Sequence, residues 1–129
     1  MAFNILIADH DKRNLEELER LLQANGHTVT MARNGNEAMD LFKETPFDLC
    51  IIDPMLSGID GFTVCRQLTR AQPKLPVIIV TGIYKGDRYR RDSKAKYGAA
   101  AFFERPFEPS AMLAEVRRLG SGELPITAE

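Results

Sequence analysis

Short apolar runs alternate with amphipathic segments along most of the chain. The runs cover only four to six residues and several are apolar at consecutive positions, which is typical of strands buried on both faces of a parallel sheet. Five such strands are predicted, at residues 3–8, 27–32, 49–52, 77–80 and 99–103. The segments between them repeat apolar residues at helical spacing, as at Leu15, Leu18 and Leu22. Strands that alternate with helices predict an α/β fold with right-handed crossovers and helices on both faces of the sheet.

Composition narrows the class of protein. A chain of 129 residues corresponds to one domain, and a net charge of -1 argues against a dedicated nucleic-acid binder. The two cysteines, Cys50 and Cys65, show neither disulfide-framework nor zinc-site spacing, so a reducing cytoplasm is expected. The chain has no apolar run near the roughly 20 residues that cross a bilayer, so no membrane association is expected. His27 is expected to be an exposed residue of the second strand.

Polar residues end four of the five predicted strands. They are Asp9, His10 and Asp11 after the first, Asp53 after the third, Thr81 after the fourth, and Arg105 after the fifth. Parallel α/β sheets bind ligands at the carboxyl ends of their strands. If the first and third strands are neighbours, Asp9 and Asp53 face each other, an arrangement that suits Mg²⁺. The Thr81 hydroxyl and the Arg105 guanidinium suit phosphate oxygens.

Five motifs, in this order and spacing, carry a resemblance to a known family. They lie at residues 5–9, 53–61, 77–82, 97–99 and 105–107. Over residues 1–119 the chain resembles the receiver domain of bacterial two-component response regulators, with residues 120–129 expected to form a flexible tail or linker. The resemblance implies a flavodoxin-like (βα)5 three-layer sandwich, with the parallel sheet in the order 2-1-3-4-5.

The same resemblance implies a signalling protein of two-component phosphorelay systems rather than an enzyme. In that family a histidine kinase or phosphotransfer protein passes a phosphoryl group to the aspartate that corresponds to Asp53. Mg²⁺ lies between that carboxylate, the acid corresponding to Asp9 and the backbone carbonyl of Met55. The residue corresponding to Thr81 then binds the phosphoryl group, the aromatic corresponding to Phe102 changes rotamer, and a surface for a downstream protein partner shifts.

This chain departs from the family pattern in the pocket itself. His10 stands where the family has a second acid, and Asp11 is acidic but one residue further on. A neutral imidazole is a poor ligand for Mg²⁺, so weak Mg²⁺ binding is expected. Arg105 replaces the family's lysine, and its planar fork either holds Asp53 in an ion pair or clamps a phosphoryl group. The sequence leaves both open. The resemblance also implies a cis peptide bond between Arg105 and Pro106.

A basic segment follows the fourth strand. Residues 85–96 hold six basic and two acidic residues, a net charge of +4, whereas residues 1–60 carry -6. The predicted partner surface consists of Arg88, Arg90, Arg91 and Lys94. A positive patch of this kind suits an acidic protein partner.

Two other hypotheses remain open at this point. The first is a receiver fold that is never phosphorylated and serves as a docking module. The second is a haloacid-dehalogenase-like phosphohydrolase, in which Asp9 and Asp11 form a DxD motif with a nucleophile and a general acid/base. The second leaves Asp53 and Arg105 without a role.

Overall fold

Five strands alternate with five helices in the computed structural model, which describes residues 2–122. The strands are β1 (Asn4–Ala8), β2 (Thr28–Ala32), β3 (Leu49–Ile52), β4 (Val77–Thr81) and β5 (Ala101–Glu104). The helices are α1 (Lys12–Gln23), α2 (Gly35–Glu44), α3 (Gly61–Ala71), α4 (Asp87–Ala95) and α5 (Pro109–Gly120).

The strands form one parallel sheet in the order β2-β1-β3-β4-β5. The predicted flavodoxin-like order 2-1-3-4-5 is therefore confirmed. Ala8 of β1 pairs with Ile52 of β3, so the residues that follow each of them lie side by side at the carboxyl edge. Further along this edge, Thr81 of β4 pairs with Glu104 of β5.

Alternation along the strands builds two separate cores, one on each face of the sheet. Ile5 and Ile7 of β1 face α1 and α5, while Leu6 and Ala8 face the opposite cluster, to which α2 and α3 contribute. Each fully buried leucine or isoleucine stabilises the fold by about 1.5–3 kcal/mol. The central strands are buried between the two cores. Their carboxyl ends, from which the site loops leave, are therefore held in place.

Side chains cap the first three helices. Asp11, Asn34 and Asp60 accept hydrogen bonds from backbone N–H groups in the first turns of α1, α2 and α3. Such caps satisfy donors that the helix itself leaves without partners. The cap at α1 matters for function, because it decides where the Asp11 carboxylate points.

Several boundaries and one residue differ from the predictions. His27 precedes β2 and is only 9% exposed, because its ring stacks on Phe3 and its Nδ1 accepts the Phe3 N–H at 3.1 Å. The expectation of an exposed His27 is therefore wrong. β5 starts two residues later than predicted, since the Ala99 N–H bonds to the Ser93 carbonyl at the end of α4. α5 extends through Gly120, and residues 123–129 of the predicted tail lie outside the described residues.

Candidate functional site

Two buried aspartates lie side by side at the carboxyl edge of the sheet. Asp9 follows β1 and is 3% exposed, and Asp53 follows β3 and is 5% exposed. The Asp53 N–H donates to the Ala8 carbonyl at 2.9 Å, which extends the pairing of β1 with β3 by one more bond. The backbone therefore holds the two carboxylates next to each other, as the order of the strands predicted.

Arg105 joins the two carboxylates. One terminal nitrogen of its guanidinium lies 3.0 Å from Asp53 Oδ2, and the other lies 2.9 Å from Asp9 Oδ2. The Arg105 N–H donates to the Thr81 carbonyl at 2.8 Å, so the residue is anchored to β4. The peptide bond from Arg105 to Pro106 is cis, as predicted. Of the two roles that the sequence left open, the ion pair is the one present here, and it includes Asp9 as well.

The remaining carboxylate oxygens accept backbone hydrogen bonds. Asp53 Oδ1 accepts the Met55 N–H at 2.6 Å, and Asp9 Oδ1 accepts the Asp11 N–H at 2.8 Å. All four oxygens of the pair therefore have a donor. Burial raises the pKa of Asp53 to about 6, and Asp9 adds to the rise, while the Met55 N–H and Arg105 oppose it. Asp53 is thus mostly ionised at neutral pH, although burial of its charge destabilises the folded protein.

His10 and Asp11 take different directions after β1. His10 is exposed, and its Nδ1 lies 3.5 Å from Asp9 Oδ1. Asp11 instead caps α1 by accepting the Arg13 and Asn14 N–H groups at 2.8 and 3.3 Å, and these bonds lower its pKa. The Asp11 carboxylate is therefore committed to the helix and does not replace the missing second acid.

A cavity of about 210 Å³ opens beside Asp53. It is lined by His10, Asn14, Asp53, Met55, Gly82, Ile83 and Arg105. Asn14, Gly82 and Ile83 were not among the predicted site residues, although Gly82 and Ile83 directly follow β4 and Asn14 lies in the first turn of α1. The cavity is large enough for a phosphoryl group, and the Asp53 carboxylate is part of its wall.

Thr81 and Phe102 are both buried. The Thr81 hydroxyl accepts the Ile83 and Tyr84 N–H groups at 3.1 and 2.8 Å, and so shapes the turn after β4. Phe102 is 4% exposed in β5, where the Arg90 guanidinium lies 5.2 Å from its ring centroid. A hydroxyl that accepts N–H groups still carries its own hydrogen, so the two turn contacts leave Thr81 able to act as a donor.

The predicted partner surface is only partly free. Arg88, Arg91 and Lys94 are exposed on α4. Arg90 is also exposed, but its guanidinium donates to the Phe102 carbonyl at 3.2 Å. Arg90 therefore ties α4 to β5, a contact between residues 12 positions apart that charge patterning did not indicate.

The metal ligands that the resemblance implies are incomplete in this chain. Asp9, His10 and Asp53 each offer one ligand atom, and these atoms lie within 4.8 Å of one another. Mg²⁺ prefers oxygen ligands in near-octahedral geometry, whereas one of the three groups is an imidazole and Arg105 holds an oxygen of each carboxylate. These residues fit Mg²⁺ poorly.

Comparison with known proteins gives the family. The model of the response regulator receiver domain matches residues 5–117. The chain belongs to this family. It is 34% identical over 119 residues to the response regulator MprA of Mycolicibacterium vanbaalenii, covering 92% of this chain and 51% of that protein. The chain thus spans about half the length of the curated relatives it matches.

Solved receiver domains share the fold. The signal receiver domain of a signal transduction histidine kinase from Syntrophus aciditrophicus aligns with a TM-score of 0.83 and 29% identity, covering 98% of this chain and 96% of that one. A CheY-like receiver domain protein from Methanospirillum hungatei aligns with a TM-score of 0.85 and 24% identity, over 95% and 97% of the two chains. The latter supports the fold alone.

Family membership favours one of the hypotheses for the chain. It is a receiver domain of two-component response regulators, and the phosphohydrolase hypothesis and the phosphorylation-independent docking module are not favoured. Receiver domains are in general signalling modules rather than enzymes, commonly bind Mg²⁺ at an acidic pocket, and interact with histidine kinases and downstream effectors. Within residues 2–122, no helix has the length and apolar character needed to cross a bilayer.

Proposed function

We propose that Asp53 is the phosphoacceptor of this receiver domain. The observation that carries the proposal is a buried carboxylate at the end of β3 that forms part of the wall of a cavity beside a fixed cation, Arg105. An ionised Asp53 oxygen attacks the phosphorus of a phosphohistidine on a histidine kinase or phosphotransfer protein. A P–O bond forms, the P–N bond breaks, and the imidazole leaves with the electron pair.

Two residues of the pocket have separate roles in this proposal. Arg105 releases Asp53 Oδ2 and contacts the phosphoryl oxygens, since its planar fork suits them as well as it suits a carboxylate. Thr81 turns its hydroxyl toward the same group and donates its O–H hydrogen to a phosphoryl oxygen. Met55 positions the acceptor through its N–H bond to Asp53 Oδ1.

Phe102 and Arg90 link the pocket to the partner surface. When Thr81 turns to the phosphoryl group, its bonds to the Ile83 and Tyr84 N–H groups weaken and the ring of Phe102 in the neighbouring strand β5 changes rotamer. The Arg90 contacts with the carbonyl and ring of Phe102 then change, which shifts α4. Within α4 the buried residue is Ser93, so few apolar contacts oppose that movement.

Mass spectrometry tests the acceptor. The protein is incubated with a small phosphodonor, with and without Mg²⁺, and the intact mass and the modified peptide are measured. One added phosphoryl group on Asp53, absent in Asp53→Asn and retained in the control Asp11→Asn, is expected. The absence of any added phosphoryl group with the donor and with the cognate kinase would contradict the proposal and return the chain to a docking role.

The exposed basic residues of α4 are proposed to bind an acidic protein partner in the cytoplasm, and not nucleic acid. Reversal of Arg91 and Lys94 to glutamate is expected to weaken binding to the downstream partner, most strongly at low salt, with little loss of stability. The control reverses Arg66 and Arg70, which are exposed on α3 and change the charge equally. Equal binding by both variants would contradict a role for α4.

A further inference from the structure

We propose that Arg105 is a tethered cation that takes the place of a divalent metal between Asp9 and Asp53 and excludes Mg²⁺ from it. The inference deepens the proposed function of the pocket. The exclusion of Mg²⁺ is argued from contacts and charges alone, and only its importance for signalling rests on Asp53 being the phosphoacceptor. It concerns the resting state, in which Arg105 is a positioning residue that holds the acceptor carboxylate.

The geometry of the fork is the first argument. The two terminal nitrogens of one guanidinium reach two carboxylates that come from different strands, at 3.0 and 2.9 Å. The side chains are 19% exposed for Arg105, 4% for Asp9 and 6% for Asp53, so water screens these contacts little. A planar guanidinium that is anchored at both nitrogens loses two charge-assisted hydrogen bonds when it leaves.

Charge is the second argument. Asp9 and Asp53 contribute two negative charges, and Arg105 neutralises one of them. A dication that enters the pair therefore meets a net charge of -1 instead of -2, so Arg105 weakens its attraction to the pocket. Mg²⁺ also gives up its water reluctantly, so a weak attraction does not offset the loss of hydration.

The third argument is that the possible metal ligands include only two carboxylates. Among the described residues, the group that clusters with Asp9 and Asp53 is the exposed His10. Asp11 is held at the start of α1 by two backbone N–H groups and would have to break that cap to reach a metal. The chain therefore lacks the acid that would favour the metal over Arg105.

Lysine at position 105 would act differently. An ammonium group is a compact point charge, without the two separate nitrogens that let Arg105 hold Asp9 and Asp53 at once. Arg105→Lys is therefore expected to free the Asp9 side of the pair. The substitution keeps the positive charge. Any gain in Mg²⁺ affinity is therefore due to the loss of the two-pronged contact of the guanidinium with Asp9 and Asp53.

Calorimetric titration with MgCl2 compares the parent, Arg105→Lys and the control Arg118→Lys. Arg118 is a matched control because it also forms a forked pair with one carboxylate, that of Glu115, within α5. We expect Arg105→Lys to bind Mg²⁺ at least about tenfold more tightly than the parent, which is about 1.4 kcal/mol. Arg118→Lys is expected to match the parent.

Thermal unfolding provides a second readout. Arg105→Gln leaves two buried carboxylates without a cation, so its Tm is expected to fall, and MgCl2 is expected to raise it again. The parent Tm is expected to stay unchanged when MgCl2 is added. Equal Mg²⁺ affinities of the parent and Arg105→Lys, including no binding by either, would overturn the inference. Neither measurement uses phosphorylation, so a failure of Asp53 as acceptor would be seen separately.

Discussion

Asp53→Asn is expected to stabilise the fold at neutral pH, even though it removes the proposed acceptor. Burial raises the pKa of Asp53 to about 6 in the folded protein. The pKa of an aspartate in an unfolded chain is about 3.9. Because the folded state binds the proton more tightly than the unfolded state, stability is lost as pH rises from about 4 to about 6. A neutral amide does not pay this cost.

The magnitude follows from the difference between the two pKa values. A gap of about two pH units corresponds to about 3 kcal/mol of free energy of unfolding. Two effects reduce this value: the residual solvation of the pocket, and the asparagine NH2 group, which would face the Arg105 guanidinium as donor against donor where Asp53 Oδ2 now accepts. A net gain of about 1–2 kcal/mol is therefore expected at pH 7. An asparagine oxygen still accepts the Met55 N–H, and Arg105 keeps its contact with Asp9.

Urea unfolding, followed by circular dichroism at several pH values, measures the effect. The gain of Asp53→Asn over the parent is expected at pH 7 and should vanish near about pH 3, where both states of the parent are mostly protonated. Asp40→Asn, at an exposed position of α2, is the control and should change stability little at either pH. A variant that is no more stable than the parent at pH 7, or a gain independent of pH, would refute the reasoning.

Three further substitutions test other parts of the molecule. Gly61→Ala is expected to lower the free energy of unfolding in urea by about 1–3 kcal/mol, because its Cβ would lie 2.1 Å from the Asp53 carbonyl oxygen. Gly82→Ala is the control, since no atom lies within 4 Å of the Cβ added there. Burial lowers the pKa of His27, so the parent should lose stability as pH falls below about 6.5, and His27→Gln should flatten that loss in the same assay. His10→Asp should tighten Mg²⁺ binding about tenfold by calorimetry, and an unchanged affinity would show that the imidazole is not limiting.

The alternation of apolar runs and amphipathic segments predicted the fold correctly, because buried parallel strands and their covering helices leave periodic patterns in the sequence. The same logic predicted that Asp9, Asp53 and Arg105 meet, whereas the Thr81 side chain does not line the cavity. Asp9, Asp53, Thr81 and Arg105 each end a strand, and the carboxyl ends of parallel strands share one edge of the sheet. The five motifs, in their order, identified the receiver domain.

Side-chain partners were decided by the tertiary structure. Arg105 meets Asp53 and Asp9 across 52 and 96 positions of sequence, and the distances between three strands determine whether one guanidinium can span both carboxylates. The sequence also did not show whether Asp11 would face the pocket or cap a helix. In the structure its carboxylate accepts the N–H groups that begin α1. His27 shows the same limit, because its burial depends on a stack with Phe3, 24 positions away, which no local pattern records. Periodicity reports which face of an element is covered, whereas the partner of a charged or polar group depends on atoms that only folding brings within hydrogen-bond distance.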